Sequence, residues 1–235
     1  MDKSLRILAF VVLLSFLLSG QSKININAQT KAPLENCRNS RQFGDINVCL
    51  PTINGMTECY SNSIVKARAN KLYQAGSTVL GAYLNNDIYT KVDQLDELVF
   101  DDYIFVYAPN KLQGIKIGGA ELDNLINSMT GSYLKENWTE LKGKIEKYHD
   151  YLYTLGKPII LESYKPAEKI RTGIFLTKMQ LGEKEIISIT ILNVMEIKQR
   201  LICSAYTLNF DGEASIKKAK TKNEIFATQF ITENK

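Results

Sequence analysis

The feature that most constrains the fold is the stretch from Lys157 to Phe210, where four strand-like runs follow one another with very little between them. Pro158 to Tyr164, Thr172 to Gln180, Lys184 to Val194 and Gln199 to Asn209 are rich in β-branched and aromatic residues, with turn signals separating them. In the third run Ile187, Ile189 and Ile191 alternate onto one face, as a half-buried strand requires. Leu181-Gly182-Glu183 reads as a tight hairpin connection. A parallel crossover needs about a dozen residues or more, so these neighbours are expected to run antiparallel.

The segments before this block carry other periodicities. Ser77 to Leu84 is extended and ends in the turn cluster Asn85-Asn86-Asp87, and Glu97 to Ala108 is a third extended stretch that stops at Pro109-Asn110. Helical spacing then takes over, with Leu122, Leu125, Ile126 and Met129 on one face and Tyr133 and Trp138 continuing it. Leu141, Ile145, His149 and Leu152 predict a second helix, closed by Gly156-Lys157-Pro158. After the strands, Glu213 to about Thr232 predicts a closing helix. Its apolar slots hold Ile216, Ala219, Phe226 and Phe230, with Asn223 in the remaining one. Strands, then helices, then strands, then a helix indicate an α+β fold, a predominantly antiparallel β-sheet with helices packed on it.

The four-strand meander followed by a helix ending in Phe226-Ala227-Thr228-Gln229-Phe230-Ile231 resembles the PsbP-like family, an α/β/α sandwich. That family includes an extrinsic photosystem II subunit, a small Ran-binding nuclear import factor and many secreted bacterial proteins. The resemblance covers element order over most of residues 43 to 235 and implies protein binding rather than catalysis. It has no shared motif on which a functional residue could be carried over. The Asn54-Gly55 turn with its flanking cysteines, and Tyr83-Leu84-Asn85-Asn86, look like an elaboration within such secreted proteins.

Residues 1–28 have the grammar of a secretory signal: Lys3 and Arg6, an apolar run from Ile7 to Leu18, then a small-residue exit. The run is shorter than the roughly 20 residues a membrane-spanning helix needs. Cleavage is expected after Ala28, with Ser19-Gly20 an earlier alternative. No cysteine follows the run closely, which argues against a lipid anchor. Residues 29–42 read as a flexible polar leader, and 43–235 as a single domain. The expected destination is secreted or periplasmic, with no membrane span after signal removal.

Four cysteines, Cys37, Cys49, Cys59 and Cys203, permit disulfides in an oxidising compartment. Sequence alone leaves the pairing open. A three-residue Ile53-Asn54-Gly55 hairpin loop would set Cys49 opposite Cys59, whereas a two-residue Asn54-Gly55 turn would point their sulfurs to opposite faces. Cys49–Cys59 is the pairing with a geometric argument. Cys203, in an apolar run, reads as a buried free thiol.

The chemistry is sparse. The net charge is only +4, without the basic stripe of a nucleic-acid binder. His149 is the single histidine, and neither a nucleophile elbow nor a phosphate-cradling glycine loop occurs. The sequence predicts no catalytic residue and no cofactor. Asp93, Asp96, Glu97, Asp101 and Asp102 could supply oxygen ligands to calcium, although the EF-hand loop pattern is missing. Asp101 and Asp102 are also the candidates for a carboxylate-based hydrolase. Lys217, Lys218, Lys220 and Lys222 read as a solvated helix face. Tyr148, Tyr151 and Tyr153 are a possible sugar platform, and Asn137-Trp138-Thr139 is a glycosylation sequon. The expectation is an exported, noncatalytic binding or accessory protein for an unknown protein or small ligand; a secreted hydrolase and a calcium-dependent adhesion module are the alternatives.

Overall fold

The computed structural model describes residues 37–73, 76–94, 101–131, 158–181 and 184–235. The signal segment, the helix expected at 141–152, and Asp96, Glu97, Trp138 and His149 lie outside them, as do the tyrosine cluster at 148–153 and the sequon. The elements are β1 (Ser40–Phe43), β2 (Ile46–Cys49), β3 (Met56–Glu58), α1 (Ser63–Tyr73), β4 (Ser77–Asn85), α2 (Asn86–Tyr89), β5 (Asp102–Pro109), α3 (Gly119–Thr130), β6 (Ile159–Ala167), β7 (Ile170–Leu181), β8 (Lys184–Ile197), β9 (Arg200–Asn209) and α4 (Gly212–Glu233).

Seven strands form one sheet in the order β3-β4-β5-β9-β8-β7-β6, with every neighbouring pair antiparallel. The fold is α+β, as the short links require. The register of the meander pairs Leu181 with Lys184 and Ile197 with Arg200. In the second turn Lys198 and Gln199 both take positive φ, 49° and 62°, the backbone of a type I′ turn whose twist matches the flanking strands.

Each sheet face has its own core. On one face Ile174, Ile189, Ile191, Ile202 and Tyr206 pack with Ala219, Phe226 and Phe230 of α4. Phe226 meets Tyr83 edge to face at 5.6 Å between centroids, and burying such a ring contributes on the order of 2 to 3 kcal/mol. Phe43, Ile46 and Val48 of the small β1–β2 sheet join the same cluster. On the other face Phe105, Phe175, Leu192 and Val194 pack with Val65 and Ala69 of α1 and Leu122, Ile126 and Met129 of α3. Arg171, nearly buried, pairs with Asp123 of α3 and donates to the carbonyls of Glu168 and Ile170 at 2.7 and 2.9 Å.

Asn223 occupies its apolar slot because the sheet beneath supplies partners. Asn193 Nδ2 donates to Asn223 Oδ1 at 2.7 Å and to Ser204 Oγ at 2.9 Å, while Asn193 Oδ1 accepts from Asn223 Nδ2 and Thr172 Oγ1. The register Thr172↔Asn193↔Ser204 places these groups side by side on one face.

Two expectations around the N-terminal cysteines are corrected. The hairpin over Ile53-Asn54-Gly55 does not form; β2 folds back on β1 around Gly44, whose φ of +58° suits glycine, and β3 pairs with β4. Leu50 N still donates to Asn39 O, but Pro51 follows with no N–H to extend the ladder. Ser40 to Gln42, placed in the leader by sequence, therefore belong to a strand.

Candidate functional site

Asp102, the first residue of β5, has a side chain only 8 % exposed, so its charge needs partners. Tyr206 lies on the neighbouring β9, where Asp102 faces Leu208 and Ile104 faces Tyr206. This diagonal relation puts the phenol and the carboxylate on the same sheet face. Tyr206 Oη donates to Asp102 Oδ1 at 2.9 Å. Lys222 Nζ of α4 donates to Oδ2 at 3.0 Å, Asn85 Nδ2 reaches the same oxygen at 3.4 Å, and Lys218 stands 3.9 Å away. Lys218 and Lys222 are one helical turn apart, so both reach down from one face of α4. Burial, and then the charge and hydrogen bond of Asp102, push the Tyr206 phenol far above its ordinary range. It stays protonated and keeps donating.

Beside this buried group opens a cleft of about 270 Å³. Asn85, Asp87 and Ile88 form one wall, and Asp101, Leu208, Asn209 and Lys218 complete it around Asp102. α2 sets the first wall, with Asn85 capping it by accepting from Asp87 N at 2.9 Å. Asp101 O accepts from Asn209 N at 3.1 Å, which fixes the second wall to the sheet. The lining combines the acidic residues Asp87 and Asp101 with the basic Lys218 and the apolar Ile88 and Leu208. Such a lining can hold a small polar ligand by hydrogen bonds and charge.

The acidic residues singled out in the sequence divide accordingly. Asp101 and Asp102 come together at the cleft, whereas Asp93 sits in the turn Val92–Gln94 and meets Asn62 Nδ2 at 3.4 Å. Asp93 is not part of the cleft lining. Among the described residues no group of three or more histidine, cysteine or carboxylate side chains is arranged to hold a metal ion.

The disulfide joins Cys37 to Cys49, not Cys49 to Cys59. β1–β2 pairing brings the chain before Ser40 back beside Cys49, while Cys59 points into the opposite core with Cys203. Both of these thiols are free and buried, as expected for Cys203. Burial pushes each up to about 12, with the nearby Glu58 adding to the rise at Cys59. Thiols held protonated are poor nucleophiles.

The lysines of α4 are less idle than a solvated face suggests. Lys222 pairs with Asp102, while Lys220 Nζ donates to both Glu162 oxygens at 2.9 and 3.0 Å and lies 4.5 Å from the Tyr164 ring centroid. Sequence reasoning missed Tyr206, Lys222 and Asn85 as partners of Asp102. The only available signal was Asp102 itself, a charge opening an otherwise apolar strand.

Comparison of the chain with protein-family models, with curated proteins and with solved structures found no match. Among the described residues no helix is long and apolar enough to cross a membrane.

Proposed function

We propose that this chain is an exported, noncatalytic binding or accessory protein, a secreted or periplasmic relative of the PsbP-like family, that engages its ligand at the cleft beside Asp102. The observation that carries the reading is the state of the Asp102 carboxylate. Both of its oxygens are engaged by groups of the fold itself, Tyr206 on one side and Lys222 on the other. A general acid or base must exchange its proton with a substrate, and Asp102 would have to abandon its partners to do so. Asp87, Asp101, Asn209 and Lys218, which also line the cleft, are the polar residues left to meet a ligand.

Export is supported by the signal-like residues 1–28 and by the Cys37–Cys49 bridge, which an oxidising compartment preserves. The family reading is supported by the layering, with α4 on one sheet face and α1 and α3 on the other. The test is turnover. Wild type and Asp102→Asn are assayed on a panel of glycosides and esters, and neither is expected to exceed the uncatalysed rate. Hydrolysis by the wild type that disappears in Asp102→Asn would establish the hydrolase instead.

A further inference from the structure

The loop joining β2 to β3 contains Asn54-Gly55, which the fold uses as a turn rather than a hairpin. Met56 N donates to Ile53 O at 3.2 Å, Gly55 has φ +76°, and Asn54 is not among the positive-φ residues. That combination defines a type II turn with glycine at its third position. Both Asn54 and Gly55 are exposed, and nothing lies within 4 Å of where a Gly55 Cβ would be. Among the described residues, the Asn54 side chain, Asn54 O and Gly55 N have no hydrogen-bond partner. The peptide unit between Asn54 and Gly55 is therefore free to rotate while the bonds on either side of it, Ile53 to Met56 and Asn86 N to Gly55 O, stay in place.

We propose that Asn54 is a site of spontaneous self-modification in the folded protein, with water as the only co-reactant. Rotation of the central peptide, the motion that interconverts type II and type I turns, brings Gly55 N to Asn54 Cγ. Gly55 N gives up its proton to solvent base and attacks that carbon. The new C–N bond closes a five-membered imide, and the Cγ–Nδ2 bond breaks with loss of ammonia. Water then adds to one of the two imide carbonyls and opens the ring, leaving aspartate or isoaspartate at position 54. Glycine favours the attack because no side chain crowds its nitrogen. Either product adds a negative charge. Isoaspartate also lengthens the main chain by one methylene, so the turn can no longer satisfy both flanking hydrogen bonds. The β2–β3 connection thus ages chemically once the protein is exported.

The experiment incubates the full chain in mildly alkaline buffer, folded and in denaturant, and follows the peptide containing residue 54 by mass spectrometry and charge separation. The folded chain is expected to accumulate the acid form at position 54 over the same period as the unfolded chain. Asn54→Gln, whose longer side chain closes its ring slowly, is expected to lose it. Retention of the amide at position 54 in the folded chain while the unfolded chain loses it would overturn the proposal. An acid form that accumulates unchanged in Asn54→Gln, and so arises at another asparagine, would overturn it equally.

Discussion

Cys49 and Asn234 lie 185 residues apart in sequence and exchange two hydrogen bonds, Cys49 N to Asn234 Oδ1 and Asn234 Nδ2 to Cys49 O, each of 2.8 Å. The amide of Asn234 imitates a neighbouring strand, satisfying the outer edge of β2 just past the end of α4. A third bond, from Nδ2 to Phe230 O at 2.8 Å, fastens the same side chain to the helix.

Asn234→Ala removes all three bonds at a residue only 4 % exposed. With each bond worth about 1 kcal/mol and a buried strand edge left unpaired, the loss should be about 2 to 3 kcal/mol. Reducing the Cys37–Cys49 bridge, whose cysteines are separated by 12 positions, should cost on the order of 3 kcal/mol. The two fastenings secure the same strand, so their effects in urea denaturation should fall short of additivity.

The polar slot in α4 makes a second prediction. Asn223→Leu restores the apolar pattern of the helix but leaves Asn193 without two of its bonds, so it should destabilise by about 2 kcal/mol. Introducing Asn193→Leu as well removes the orphaned amide but strips the buried Thr172 and Ser204 hydroxyls of their bonds to it, so the double variant should recover only part of the summed single losses. A double-mutant cycle in urea measures the recovery; a double variant with the summed loss of the singles would refute the pairing.

Alkaline pH should weaken the fold in a defined window. Cys59 and Cys203 rise from an ordinary 9.0 to about 12 on folding, so the folded state holds those protons more tightly. Their contribution is complete below pH 9.0 and disappears as pH rises toward about 12. Tyr206 and Tyr83, raised from 10.0, extend the decline. The urea midpoint should therefore fall above pH 9.0, and thiol reagents should label neither cysteine until the chain unfolds. Labelling of the native chain would show that one of them is accessible.

Tyr206→Phe tests the buried carboxylate. It removes a hydrogen bond to a charge without changing the ring, and should destabilise by about 2 kcal/mol. Lys222→Met should cost less, because the lysine side chain remains a quarter exposed and solvent screens its pairing. Equal stability of Tyr206→Phe and wild type in thermal denaturation would contradict the assigned bond.

The parts of the fold legible in sequence are those governed by local signals. β6 to β9 announced themselves through composition, turn signals and short links, and α3 and α4 through apolar spacing. α1 went unread because the buried positions among its described side chains are the small residues Val65 and Ala69; its sharp local mark is Asn62, whose Oδ1 accepts from Ile64 N and Val65 N. The Cys49–Cys59 pairing failed because a turn signal at Asn54-Gly55 says nothing about which strands flank it, and Pro51 had already ended the ladder. At the site, Asp102 was visible but its surroundings were not. Tyr206 and Lys222 lie 104 and 120 positions downstream, and only the order β5-β9 and the docking of α4 bring them there.

The claim that the cleft beside Asp102 receives the ligand is tested most directly by two-dimensional NMR of the isotope-labelled full chain, titrated with small polar fragments bearing ammonium, hydroxyl and carboxylate groups. Saturable shifts are expected at Asn85, Asp87, Asp101, Asn209 and Lys218, with the fragments unchanged at the end of the titration. Saturable shifts centred elsewhere, no saturable shifts with any fragment, or chemical conversion of a fragment during the titration would contradict it.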